Sequence, residues 1–111
     1  MQQLKTLIHS GINIDQGTQF TRLTARAIVI KNNKILLMYT NRYEDYSLPG
    51  GGVDDGESIE QGLIRELSEE TGAQQISVVK AFGLYEEYRP WYKDDFDIIH
   101  IKSYCFVCSI G

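Results

Sequence analysis

Gly51-Gly52-Val53-Asp54-Asp55-Gly56-Glu57-Ser58-Ile59-Glu60-Gln61-Gly62-Leu63-Ile64-Arg65-Glu66-Leu67-Ser68-Glu69-Glu70-Thr71-Gly72-Ala73 is a glycine loop that runs straight into an amphipathic segment. Ser58 with Gln61 three positions on is a capping-box pattern, and Gly72 just past the periodic run is a left-handed stop. The spacing therefore predicts a helix over roughly Ser58 to Thr71. At 100° per residue, Leu63, Ile64 and Leu67 form one apolar stripe, with Gln61, Arg65 and Ser68 on the opposite side. Glu66, Glu69 and Glu70 share an arc of about 100° bordering that stripe, so three carboxylates are expected to converge beside the core.

Such a cluster opposes folding. Two of the glutamates stand in the last turn, at the negative end of the helix dipole, at ~0.3 to 1 kcal/mol each. Like-charge pairs three and four apart add roughly 0.2 to 0.5 kcal/mol apiece, so the whole costs ~1 to 4 kcal/mol against a typical stability of ~5 to 15. A bound cation reverses the sign. Oxygen-only ligands without a nearby His or Cys select a hard ion, Mg²⁺ first and Mn²⁺ as its substitute. Upstream, Leu48-Pro49-Gly50-Gly51-Gly52-Val53-Asp54-Asp55-Gly56 is glycine-rich enough to permit positive φ and close approach of backbone to a phosphate or metal, with Gly50 and Gly51 as the candidates.

The spacing of Gly51, Glu57, Arg65-Glu66, Glu69-Glu70 and Gly72 resembles the signature box of the Nudix hydrolases, which cleave nucleoside diphosphates linked to another group. Seven fixed letters recur by chance on the order of once in a billion windows. Ala73 departs from the pattern, where the family usually carries a bulkier aliphatic residue. The resemblance covers about Ala25 to Val107 and implies an α+β protein, an αβα sandwich built on a mixed β-sheet. It also implies Mg²⁺-dependent attack of water on a phosphorus atom of a nucleotide sugar such as ADP-ribose, a dinucleoside polyphosphate or a nucleoside triphosphate. Glu69 and Glu70 are then the leading metal ligands, Glu66 is a further ligand or the general base, and the Gly50 carbonyl joins the metal shell by position. Arg65 orients the glutamates, while Glu57 steadies the loop-to-helix junction or reaches an outer metal. A Nudix-fold module that senses a nucleotide without cleaving it is the alternative. The intact set of Arg65, Glu66, Glu69 and Glu70 favours the enzyme, because a sensor has no need to keep so costly a cluster.

Around the box the chain alternates like strands. Thr24 to Lys31 and Lys34 to Thr40 flank Asn32-Asn33, a two-residue hairpin signal, and are expected to pair antiparallel. Ile76 to Tyr85 and Ile98 to Cys108 are two more β-rich runs, the second apolar on both alternating sets as suits an interior strand. Leu4 to His9 reads as an edge strand and Gly11 to Gly17 as a loop. Cys105 and Cys108 form a lone C-x-x-C within a strand pattern and read as buried thiols. The aromatic run Tyr85 to Asp95, with Trp91 at its centre, either stacks a nucleobase or packs strand ends. Arg26, Arg42 and Arg89 are candidate phosphate contacts on charge alone, against the commoner outcome of a surface arginine.

The 111 residues, 42% of them hydrophobic, suggest one domain over residues 1–111. The apolar runs are too short to span a membrane, and Met1-Gln2-Gln3-Leu4-Lys5 lacks a secretory stretch, which makes a cytoplasmic location the expectation. A net charge of −4 argues against wrapping duplex nucleic acid and leaves a nucleotide-type small molecule as partner. The chain stops at Gly111, directly after an apolar strand, whereas the resembled domains continue through a further strand and a C-terminal helix. The fold is thus expected to lack these, with Glu86, Glu87, Asp94, Asp95 or Asp97 standing in for an acidic residue that the tail supplies in some members, and to self-associate as a homodimer through the Ile98 to Cys108 side, by strand pairing or by face packing.

Overall fold

A computed structural model describes residues 1–40, 44–93 and 95–111, which leaves Arg42 and Asp94 outside the described residues. Its centre is a five-stranded mixed sheet in the order β1-β8-β9-β2-β7, made by β1 (Gln3–Ile8), β2 (Gln19–Ile28), β7 (Gly50–Gly52), β8 (Ile76–Pro90) and β9 (Ile98–Ile110). The β1–β8 and β2–β9 pairs are parallel; β8–β9 and β2–β7 are antiparallel. Two small antiparallel ladders stand apart from it, β3 (Ile30–Lys31) with β4 (Lys34–Ile35) and β5 (Met38–Thr40) with β6 (Asp45–Ser47).

The hairpin expected around Asn32-Asn33 exists but is far shorter than its sequence signal. Asn32 and Asn33 both adopt positive φ, 55° and 63°, the conformation of a twisted two-residue turn, yet only Ile30↔Ile35 and Lys31↔Lys34 pair. The ladder bonds of β2 go instead to β7 and β9, distant in sequence, and local pattern carries no information about such partners.

Helix α1 (Ile59–Thr71) forms as its caps dictate: Gln61 N–H donates to Ser58 Oγ at 3.1 Å, Ser58 N–H to Gln61 Oε1 at 2.8 Å, and Gly72 closes the end in the left-handed region at φ 73°. Leu63 and Leu67 are fully buried against Ala25, Ala27, Val29, Phe106 and Cys108, and the two alanines let the helix lie close to β2. Ile64, expected in the same stripe, is 40% exposed. It lies 100° around the helix from Leu63, and the sheet meets only the Leu63–Leu67 side.

Among the described residues α1 is the only helix, so one helical layer of the expected αβα sandwich is present and the opposite sheet face carries none. Strand pairing between copies through Ile98 to Cys108 is also corrected. β9 is bonded on one side to β8 and on the other to β2, leaving β1 and β7 as the sheet edges. Cys105 and Cys108 are buried free thiols, as the strand pattern implied. No described helix is long and apolar enough to cross a membrane.

Candidate active site

The glycine loop is built into the sheet. As β7, Gly50 to Gly52 pair with Arg26 to Thr24, and a Cβ on Gly50, whose φ is 137°, would collide with the Ala25 carbonyl oxygen. A Cβ on Gly51 would fall 2.7 Å from the Glu66 carboxyl carbon and 2.8 Å from both its oxygens. The loop therefore abuts the glutamate-bearing face of α1 because it lacks side chains there.

Arg65 ties the loop to the helix. Its Nε donates to Glu57 Oε2 at 2.8 Å and its Nη2 to Glu57 Oε1 at 3.1 Å, a two-pronged pair. Nη2 also donates to the Gly52 carbonyl at 3.0 Å, and Nη1 to Glu66 Oε1 at 3.2 Å, with Glu69 Oε2 at 3.4 Å. The Glu57 contact, ahead of that with Glu66, pushes the guanidinium pKa further up, and the Arg65 contact with the Asp54 N–H bond holds the Glu57 carboxyl below its ordinary value. Both Glu57 oxygens are thus engaged at the loop-to-helix junction.

Glu70 stands apart from this knot. It accepts from Gly50 N–H at 3.2 Å, and its pKa is raised, first by burial, with the negative charges of Glu66 and Glu69 adding to the effect. The expected convergence is therefore only partial: among the described residues no three acidic, His or Cys side chains close on a single metal-holding point. Three like charges separate toward whichever donors are in reach, Arg65 for Glu66 and Glu69 and a backbone amide for Glu70. They still act on one another, their oxygens are hard donors, and the space at Gly51 that a Cβ would fill lies beside Glu66. This donor set fits a hard divalent cation.

Arg26 reaches over from β2, its Nη1 donating to the carbonyls of Leu48 at 3.2 Å and Gly50 at 3.1 Å. The Gly50 carbonyl proposed for the metal shell is thus already an acceptor. Arg26, Gly50 and Glu70 line a cavity of about 450 Å³ together with Tyr39 and Tyr46. The two tyrosines escaped the sequence reading; the signal available was their placement in two short runs that can face each other across a hairpin. Arg22 was missed as well. It lies on the same face of β2 as Arg26, four residues away, and borders a second cavity of about 460 Å³ with Glu57 and Phe20.

Trp91 lies elsewhere. It packs edge-on against Phe20 with ring centroids 4.8 Å apart and donates through Nε1 to Asp95 Oδ1 at 3.0 Å, so it joins an aromatic cluster at the β8–β9 turn rather than the cavity beside Glu70. Arg89 is exposed on β8. Of the acidic residues offered as stand-ins, Glu86 faces His100 at 3.3 Å, Glu87 bonds His9 at 2.7 Å and Asp97 accepts from Thr18 N–H at 3.0 Å.

Residues 21–110 match the NUDIX domain. The chain is 51% identical over 53 residues to an RNA pyrophosphohydrolase of Vibrio cholerae, an alignment covering 46% of this chain and 31% of that protein. It is 46% identical over 89 residues to an ADP-ribose pyrophosphatase of Methanocaldococcus jannaschii, covering 77% of this chain and 45% of that one. The chain thus spans less than half the length of either relative. A NUDIX hydrolase structure from Nitrosomonas europaea superposes with a TM-score of 0.66 at 22% identity, over 83% of this chain and 60% of that one. Since the matched segment runs from β2 through β9 and carries the glycine loop and α1 within it, the chain belongs to the Nudix family.

Proposed function

We propose that this chain hydrolyses a phosphoanhydride bond in a nucleotide-type small molecule, by attack of water on a phosphorus atom of a diphosphate that joins a nucleoside to a second group. The observation that carries this reading is the seam between β7 and α1, where Arg65 holds Glu66 and Glu69 while Gly50 N–H holds Glu70, within a Nudix domain. The similar RNA pyrophosphohydrolase and ADP-ribose pyrophosphatase support a pyrophosphate bond as the target.

Glu69 and Glu70 are the residues that would hold a divalent cation, Mg²⁺ with Mn²⁺ as substitute, and Glu66 is a further ligand or the general base. When bound, such an ion neutralises phosphate charge, lowers the pKa of water and steadies the leaving oxygen. Arg65 positions the glutamates and, through Glu57, locks the loop against the helix. Arg26 adds positive charge at the cavity wall beside Gly50, where an anionic group would enter.

The test is chromatographic detection of the nucleotide products over a panel of nucleoside triphosphates, dinucleoside polyphosphates and nucleotide sugars, with Mg²⁺, with Mn²⁺ and with chelator. Glu69→Gln and Glu70→Gln should each remove most turnover and abolish the rise in melting temperature that the metal produces. Undiminished turnover in either variant would refute the assignment of ligands, and no metal-dependent hydrolysis of any substrate would refute the activity.

A further inference from the structure

The β5–β6 hairpin places Tyr39 directly opposite Tyr46, ring centroids 5.1 Å apart and tilted by 54°. Contact between the rings across the strands steadies the hairpin but leaves most of both rings in solvent. Tyr39 is 51% and Tyr46 64% exposed, and the hairpin is a separate two-stranded sheet, an element that is marginal in water unless something packs on it. Both rings nevertheless line the same cavity of about 450 Å³ that has Arg26, Gly50 and Glu70 along its wall. One wall of that cavity thus carries the Arg26 guanidinium beside the Glu70 carboxylate that the proposed function assigns to a divalent cation, and another is aromatic. A molecule that matches both regions has an anionic group joined by a short spacer to a flat π system. Base–aromatic stacking is tolerant of which base is present, because every base has a π face.

We propose that Tyr39 and Tyr46 form the platform on which the nucleobase of a nucleoside diphosphate moiety is held, so that the substrate class of this site is set by a base and not by the diphosphate alone. The inference rests on the proposed function for the anionic end, and binding separates the two. The probes are ADP, GDP, CDP and UDP, each with Mg²⁺ and with chelator, with ribose 5-phosphate as the base-free control, titrated by calorimetry into the wild-type chain and into Tyr39→Ala, Tyr46→Ala and Tyr46→Trp. Loss of stacking should weaken at least one nucleoside diphosphate by about 5- to 150-fold in either alanine variant. Tyr46→Trp should retain binding, and ribose 5-phosphate should bind all four proteins alike.

Circular dichroism should show each variant folded, since both side chains stand largely in solvent. Equal affinity of every nucleotide for wild type and both alanine variants overturns the platform, as does a wild type that binds none of the four in either condition. An equal loss for ribose 5-phosphate also overturns it, since the tyrosines would then act on the phosphate end. Base-dependent binding in a chain that hydrolyses nothing would leave the platform standing and remove the proposed activity.

Discussion

Gly51→Ala tests the site more sharply than removal of any charged group. The added methyl would lie 2.7 Å from the Glu66 carboxyl carbon where ordinary contact begins at 3.4 Å, so the two must part by about 0.7 Å. The backbone of β7 is bonded to β2 on one side and cannot give easily; the Glu66 carboxylate is the end of a flexible side chain and can. Glu66 therefore moves, and its 3.2 Å bond to Arg65 Nη1 loosens with it. Because Gly51 is not among the positive-φ glycines, alanine brings no backbone strain, and stability should change by less than about 1 kcal/mol. A displacement approaching 1 Å in a reacting constellation costs on the order of 100-fold in rate. The assay pairs thermal unfolding with turnover of the best substrate in Mg²⁺: melting should hold while kcat/KM falls about 100-fold. Full activity would show that the placement of Glu66 is immaterial, and a large loss of stability would show that the contact is structural.

Gly50→Ala should behave oppositely, destabilising the fold by at least ~1 to 3 kcal/mol in urea titration, because the clash is with the Ala25 backbone and φ is 137°. Leu67→Ala should cost ~2 to 5 kcal/mol by the same measurement, since Leu67 is fully buried where α1 meets the sheet. Ser58→Ala removes one half of the capping box and should cost ~1 kcal/mol; an unchanged midpoint would mean that water replaces the cap. Burial pushes both the Cys105 and Cys108 thiols above their ordinary 9.0, so the folded state favours the protonated form. Their contribution to stability is complete below pH 9.0 and is lost as pH rises toward the folded values, so melting temperature should fall in alkali less in a double Cys→Ala variant than in the parent.

Helix α1, its caps, the glycine loop and the box were legible in the sequence because each depends on residues within a turn or two of one another. Ser58 finds Gln61 three residues away, and Gly72 closes the helix by its own conformational freedom. The interior position of β9 was legible for a related reason: its apolar residues fall on both alternating sets of the strand, a local pattern that suits a strand bonded on both sides. The tertiary structure alone decided how those pieces act on one another. That β2 gives its ladder to β7 and β9 rather than to the nearby Lys34–Thr40 run depends on pairings across as many as 79 residues, such as Gln19 with Ile98, which leave no local trace. The division of the glutamates between Arg65 and Gly50 N–H follows from where β7 docks against α1. The meeting of Tyr39 and Tyr46 with Glu70 in one cavity follows from where the β5–β6 hairpin comes to rest. Sequence spacing orders charges along a helix; only the packed sheet determines which donors reach them and what stands across the cleft.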